Sequence, residues 1–153
     1  MENVEFLQDD VSRQETISEG EAKAYSDNLL EITGRSLTIH RYFFPSLASK
    51  SIKWEDVEWV KTGEEAKLGW LHMRLWGLAW YSSRLFIWWN LKPRVLSKGR
   101  QGMGVHGMED IRPTSLVIKT RGSNVLAGTF VKYPEIALPV IRELVARNHL
   151  HNE

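Results

Sequence analysis

Cysteine is absent from the 153-residue chain, which excludes disulfides, thiolate metal sites and cysteine nucleophiles. Neither sign of charge is in excess. Twenty bases meet nineteen acids, and a formal net charge of +1 argues neither for nor against nucleic acid. Long hydrophobic runs are missing too: between Arg74 and Arg84 the uncharged stretch LWGLAWYSS has nine residues. A membrane-spanning helix needs about 20, and each Arg near mid-bilayer would cost about 2.5–3.5 kcal/mol. The opening MENVEFLQDDVSRQ has no apolar core of a secretory signal. A cytoplasmic protein is therefore expected, with peripheral attachment to a membrane as the alternative. Length and a hydrophobic content of 42% suit one globular domain with a real core.

The balanced charge conceals an asymmetry. Residues 1–22 hold seven acids and one base, whereas residues 84–121 hold eight bases and two acids. A polar acidic leader buries too little apolar surface to offset its ordering entropy. Residues 1–21 are expected to be a mobile tail, and residues 22–149 the single domain. A sharper alternative lays the tail on the basic surface, in competition with an anionic partner.

What the chain has in quantity is tryptophan: seven residues, four of them in RLWGLAWYSSRLFIWWN, residues 74–90. Strand periodicity surrounds them. Leu71, Met73 and Leu75 alternate with His72 and Arg74, and Leu85, Ile87 and Trp89 alternate with Phe86, Trp88 and Asn90. Residues 78–84 also fit a helical spacing. Aromatic residues suit a pleated surface, so the wall of a core is the preferred reading, with at least three of Trp70, Trp76, Trp80, Trp88 and Trp89 mostly buried. Anchoring at a membrane interface and stacking on bases are the alternatives.

Hairpin patterns flank this stretch. Leu30 and Ile32 alternate up to Gly34-Arg35, and Leu37, Ile39, Arg41 and Phe43 alternate after it; a glycine leading the turn predicts type II′. Leu116, Ile118 and Thr120 run to Gly122-Ser123 and return through Val125, Ala127 and Thr129. KSIKWEDVEWVKTG supplies one or two strands more. The period then changes. Ile136, Val140 and Leu144, joined by Ala137, Ile141 and Val145, form the apolar stripe of a C-terminal helix with Glu135 at its start and Arg147 and His149 at its end. Pro139 predicts a kink, or a helix that begins near it. Short strands joined by tight turns predict an antiparallel meander that closes or stacks to hide its edges.

This order of elements resembles the pleckstrin-homology-like (PH-like) superfold. The ending SLVIKTRGSNVLAGTFVKYPEIALPVIREL is similar to that of small bacterial proteins with PH-like domains, and RLWGLAWYSSR to a middle strand pair in them. The resemblance covers about residues 22–149. It implies a mainly β protein with a C-terminal α-helix: an antiparallel barrel or sandwich capped by one amphipathic helix. It also implies binding of phosphoinositides, peptides or partner proteins, and so a protein- or peptide-binding adaptor without catalytic residues, metal or cofactor. NLKPRVLSKGRQGMGVHGMEDIRP departs from the pattern, being too long for a plain strand connection. It is read as a basic, Gly-rich insertion at about 92–113.

Within that insertion lies the candidate site for anions. Lys92, Arg94, Lys98 and Arg100 lie beside Gly99, Gly102, Gly104 and Gly107, whose small size lets backbone amides approach phosphate. Peripheral binding of anionic lipid through these four is the alternative function. GMGVHG fits the dinucleotide fingerprint, but Pro113 and a strand follow where that motif needs a helix, so it is rejected. His106 with Glu109 and Asp110 is a weak metal corner. His40 and His72 lie on predicted strands and His149 and His151 near the terminus, and no serine has a nucleophile-elbow setting. An enzyme whose site is assembled from distant residues is the third reading. A nucleic-acid partner is not expected.

Overall fold

The alternation on either side of Gly34-Arg35 does produce a hairpin. The computed structural model describes residues 22–69, 76–81, 85–90 and 112–150. Its first sheet is four short antiparallel strands in chain order: β1 (Lys23–Ser26), β2 (Leu30–Thr33), β3 (Ser36–Ile39) and β4 (Lys50–Lys53). Leu30 lies opposite Ile39 and Ile32 opposite Leu37, so one face of the pair is wholly apolar and wholly buried. Gly34 is not the source of the turn, because the glycines with positive φ among the described residues are Gly77 and Gly122. Thr33 holds it instead: its Oγ1 accepts from the amides of Arg35 at 3.3 Å and Ser36 at 3.1 Å.

The alternation expected through Arg41 and Phe43 ends early. β3 stops at Ile39, and Arg41 turns the chain with φ 51, a left-handed conformation that breaks a strand. A single 3-10 turn (Trp54–Asp56) leads from β4 into the second sheet. Trp54 in that turn is fully buried and donates from Nε1 to Thr33 O at 2.9 Å.

The second sheet has five strands: β5 (Val57–Thr62), β6 (Gly77–Tyr81), β7 (Leu85–Trp89), β8 (Ser115–Thr120) and β9 (Val125–Phe130). They are ordered β5-β8-β9-β7-β6. The β8–β9 hairpin forms as its sequence predicts, and Gly122 supplies φ 72 at the turn. Residues 78–81, ambiguous in the sequence, are strand. The strand predicted over 70–76 lies outside the described residues except for Trp76.

One pairing departs from the antiparallel expectation. β7 lies parallel to β9, with Phe86 opposite Val125 and Trp89 opposite Gly128. The β6–β7 hairpin docks on the free side of β9 rather than extending the meander. A parallel pair cannot be joined by a tight turn, and β7 and β9 are separated in the chain by residues 90–124, which include β8. Among the described residues the two sheets share no strand pair, so the barrel is not closed; mainly β structure with one C-terminal helix is what forms.

That helix, α1 (Pro134–Leu150), runs through Pro139 rather than starting there. Pro134 occupies the first turn, where no amide is needed. Ala137, Ile141 and Leu144 are its buried face, and they join a core built from β1–β4, Trp54, Val57, Leu116, Ile118 and Ala127. Ile136, counted in the predicted stripe, is 54% exposed; the true face is rotated by one residue, toward Ala137. A second core, on the other face of the five-stranded sheet, gathers Leu68, Ala79, Ile87, Trp89, Val117, Leu126 and Phe130. No helix among the described residues is long and apolar enough to cross a membrane.

Asp27 joins the two halves. Its Oδ1 accepts from the amides of Leu29 and Leu30 at 2.6 and 2.8 Å, and its Oδ2 from the Lys132 amide at 2.9 Å and from the Tyr25 hydroxyl. The turn after β1 is thereby tied to the chain just before α1.

The two sides of α1 give a stability test. Ile141→Asp should abolish cooperative unfolding near room temperature, because an unpaired buried carboxylate costs several kcal/mol out of a total of about 5–15. Ile136→Asp should keep the parent's melting temperature to within a few degrees. Equal effects in thermal denaturation would show that α1 does not dock by this face.

Candidate functional site

Side chains two apart on a strand share a face, and this places an apolar strip on the outer margin of the five-stranded sheet. Trp80 lies opposite Phe86, and Leu78 opposite Trp88. Phe86 in turn lies opposite Val125, and Trp88 opposite Ala127. Trp88 and Ala127 reach the core shared with the first sheet. Trp80, Phe86, Val125 and Leu78 lie beyond it. Trp80 is 62% exposed, Leu78 and Val125 are exposed, and Phe86 is partly buried beneath the Trp80 ring at a centroid distance of 4.4 Å. The four come from three neighbouring strands, and none is charged.

The opposite face of the same strands is anchored. Ile87 and Trp89 are fully buried, Ala79 nearly so, and Tyr81 donates its hydroxyl to Ala66 O at 3.1 Å. Asn90, also buried, donates from Nδ2 to the carbonyls of Leu29 and His40 and so fastens the end of β7 to the first sheet. The tryptophans thus divide. Trp89 is core and Trp76 and Trp88 are partly buried, as a core wall requires. These three meet the expected number, and Trp80, 62% exposed, is the exception. Trp70 is outside the described residues.

A second exposed apolar group sits on the loop between β3 and β4. Ala48 O accepts from the amides of Tyr42 at 3.0 Å and Phe43 at 3.1 Å, and Phe43 O accepts from the Leu47 amide at 2.8 Å. The loop is therefore closed on itself. Phe43, Phe44 and Leu47 project from it, exposed. Trp88 Nε1 donates to Tyr42 O at 2.6 Å, and Phe44 packs edge-on against Trp76 at 4.4 Å. These contacts fasten the loop to β7 and to the residue that precedes β6. Lys50 lies over the Tyr42 and Phe43 rings at 5.4 and 5.8 Å.

Two phenols among the described residues are shifted by their surroundings. Burial, and after it the hydrogen bond to Asp27, raises the Tyr25 phenol well above its ordinary value, and burial raises that of Tyr42. Both stay protonated. His40 is half-buried just past β3, with Nδ1 and Ser49 Oγ 3.3 Å apart. Among the described residues no three His, Asp or Glu converge as metal ligands. A cleft of about 480 Å³ is lined by Gly63, Glu64, Lys67, Leu68, Gly69 and Arg112. Glu64, Lys67 and Arg112 give its lining charges of both signs.

The predicted anion-binding residues Lys92, Arg94, Lys98 and Arg100 lie outside the described residues, as do His106, Glu109 and Asp110. The strip and the loop were missed in the sequence because both read as continuations of apolar alternation. A usable signal was present for the loop: Pro45 follows Phe43-Phe44, and from Arg35 to Lys53 there is no acid.

Exposure predicts reactivity. Limited oxidation with N-bromosuccinimide, followed by peptide mass spectrometry, should modify Trp80 well before Trp54 or Trp89. Trp89 oxidised as fast as Trp80 would place both on one surface and contradict the two-sided sheet.

No protein-family model matches the chain, and neither a curated protein nor a solved structure matches it.

Proposed function

We propose that the chain is a non-catalytic binding module of PH-like type that works as a protein- or peptide-binding adaptor. The observation that carries this is the apolar strip of Leu78, Trp80, Phe86 and Val125. Single exposed apolar residues are ordinary on a surface; a contiguous group drawn from adjacent strands is a feature of contact sites. Tryptophan is the residue most enriched at the centres of such sites, since it buries a large area for the loss of few rotamers. The mainly β architecture closed off by a C-terminal helix supports the PH-like assignment, and the parallel β7–β9 pair is a departure from it. β6 is the last strand of its sheet among the described residues. An extended peptide laid beside it would place alternate side chains against Leu78 and Trp80.

The strip has no charge of its own, so its binding should be nearly indifferent to salt. Anionic lipid binding through Lys92, Arg94, Lys98 and Arg100 would weaken steeply as salt rises.

Selection of a displayed random-peptide library on the purified chain tests the proposal. Recovered peptides should carry apolar residues at alternate positions, bind equally at low and high salt, and lose at least about tenfold in affinity to Trp80→Glu, which removes an anchor contributing about 2 kcal/mol or more. The melting temperature should not change, because Trp80 is exposed. Failure to recover any peptide, or equal binding by Trp80→Glu, would reject the strip as the site. Concentration-dependent dimerisation abolished by Trp80→Glu would instead assign the strip to a second copy of the chain.

A further inference from the structure

The β3–β4 loop carries chemistry that the adaptor reading does not use. We infer that this loop, from His40 to Lys50, is a second binding site whose ligand is the surface of an anionic lipid bilayer. Three features of the loop lead there.

First, Phe43, Phe44 and Leu47 are exposed within five residues, and Phe44 is 60% exposed although it contacts Trp76. Side chains that stay outward while the loop is closed by three backbone hydrogen bonds are presented at little further ordering cost. Second, the charged residues of the loop itself are all of one sign. Arg41 is exposed two residues before Phe43, and Lys50 ends the loop with its ammonium over the Tyr42 and Phe43 rings. His40 lies beside them. No Asp or Glu occurs between Glu31 and Glu55. Asp27, the carboxylate at the same end of the first sheet, already accepts from three amides and the Tyr25 hydroxyl. Third, a tip of aromatic and aliphatic groups flanked by Arg41 and Lys50 matches the boundary of an anionic bilayer. There the rings enter the headgroup–acyl region and the cations remain among the phosphates.

This combination differs from the strip around Trp80, which is apolar without charge and lies further along β6. An acidic peptide would satisfy the bases but would leave Phe43, Phe44 and Leu47 without a pocket, since these side chains project from the protein rather than line a recess.

The test is co-sedimentation of the full chain with vesicles of phosphatidylcholine alone and of phosphatidylcholine mixed with phosphatidylserine. Binding is expected to the mixed vesicles, weakly or not at all to the neutral ones, and less as salt rises. Phe44→Ser with Leu47→Ser should reduce the partition coefficient at least about tenfold, since two side chains leave the interface. Arg41→Gln should reduce it about fivefold. Melting temperatures measured alongside should stay close to that of the parent, because all three positions are exposed. Trp80→Glu should leave sedimentation unchanged, which separates this site from the peptide strip. Absence of binding by the parent at low salt would overturn the inference, as would full binding by the Phe44→Ser, Leu47→Ser variant. Equal binding to neutral and mixed vesicles would overturn the role of the bases.

Discussion

The ring of Trp89 lies over Gly128, and the arrangement of the five-stranded sheet follows from that contact. The two residues are partners in the parallel β7–β9 pairing, and a Cβ built on Gly128 would come 2.4 Å from the Trp89 ring. Only glycine leaves room for the ring. Phe130, two residues on, stacks with the same ring at 5.4 Å and an interplanar angle of 24°, an arrangement that contributes about 0.5–1.5 kcal/mol beyond the area it buries. Trp89 and Phe130 thus clamp β7 against β9 in one register. A slip of one residue would exchange the two faces of β7 and bring the Trp88 ring into the site that Trp89 fills.

That register decides what reaches the surface. With Trp89 inward on one face, Trp88 is turned to the other, where its indole donates to Tyr42 O and holds the β3–β4 loop. Trp80 and Leu78, carried by the hairpin partner, share that second face but extend past the first sheet. The proposed peptide strip and the proposed membrane loop are therefore both consequences of one buried contact. They differ in chemistry because one is built from strand residues alone and the other from a loop that brings Arg41 and Lys50 with it.

Much of the fold was legible because local signals agreed. The β2–β3 and β8–β9 hairpins each combine strict alternation with a turn sequence, and the C-terminal helix combines a 3.6-residue period with oppositely charged ends. Errors arose where one pattern served two outcomes. Leu85 to Asn90 is apolar on both faces, so periodicity could not distinguish Trp89 from its neighbours, and nothing local marked Trp80 as lying beyond the reach of the other sheet. Arg41 and Phe43 continue the alternation of β3 on paper, yet the left-handed backbone at Arg41 ends the strand. Ile136 and Ala137 are adjacent, and a one-residue rotation of the helix separates exposed from buried. The parallel pairing was beyond local reading altogether, since it joins residues about forty apart and depends on how a small residue fits a large ring.

A solution NMR measurement of Gly128 tests this account most directly. The Gly128 Hα that takes the Cβ direction points at the Trp89 ring, so ring currents should displace it well away from its random-coil shift and from its geminal partner. Nuclear Overhauser contacts should link Gly128 to the Trp89 indole and β7 to β9 in parallel register. Unshifted Gly128 protons, or contacts that pair β7 with β9 in antiparallel order, would contradict it. In that case neither the strip around Trp80 nor the loop at Phe44 would stand where it is described.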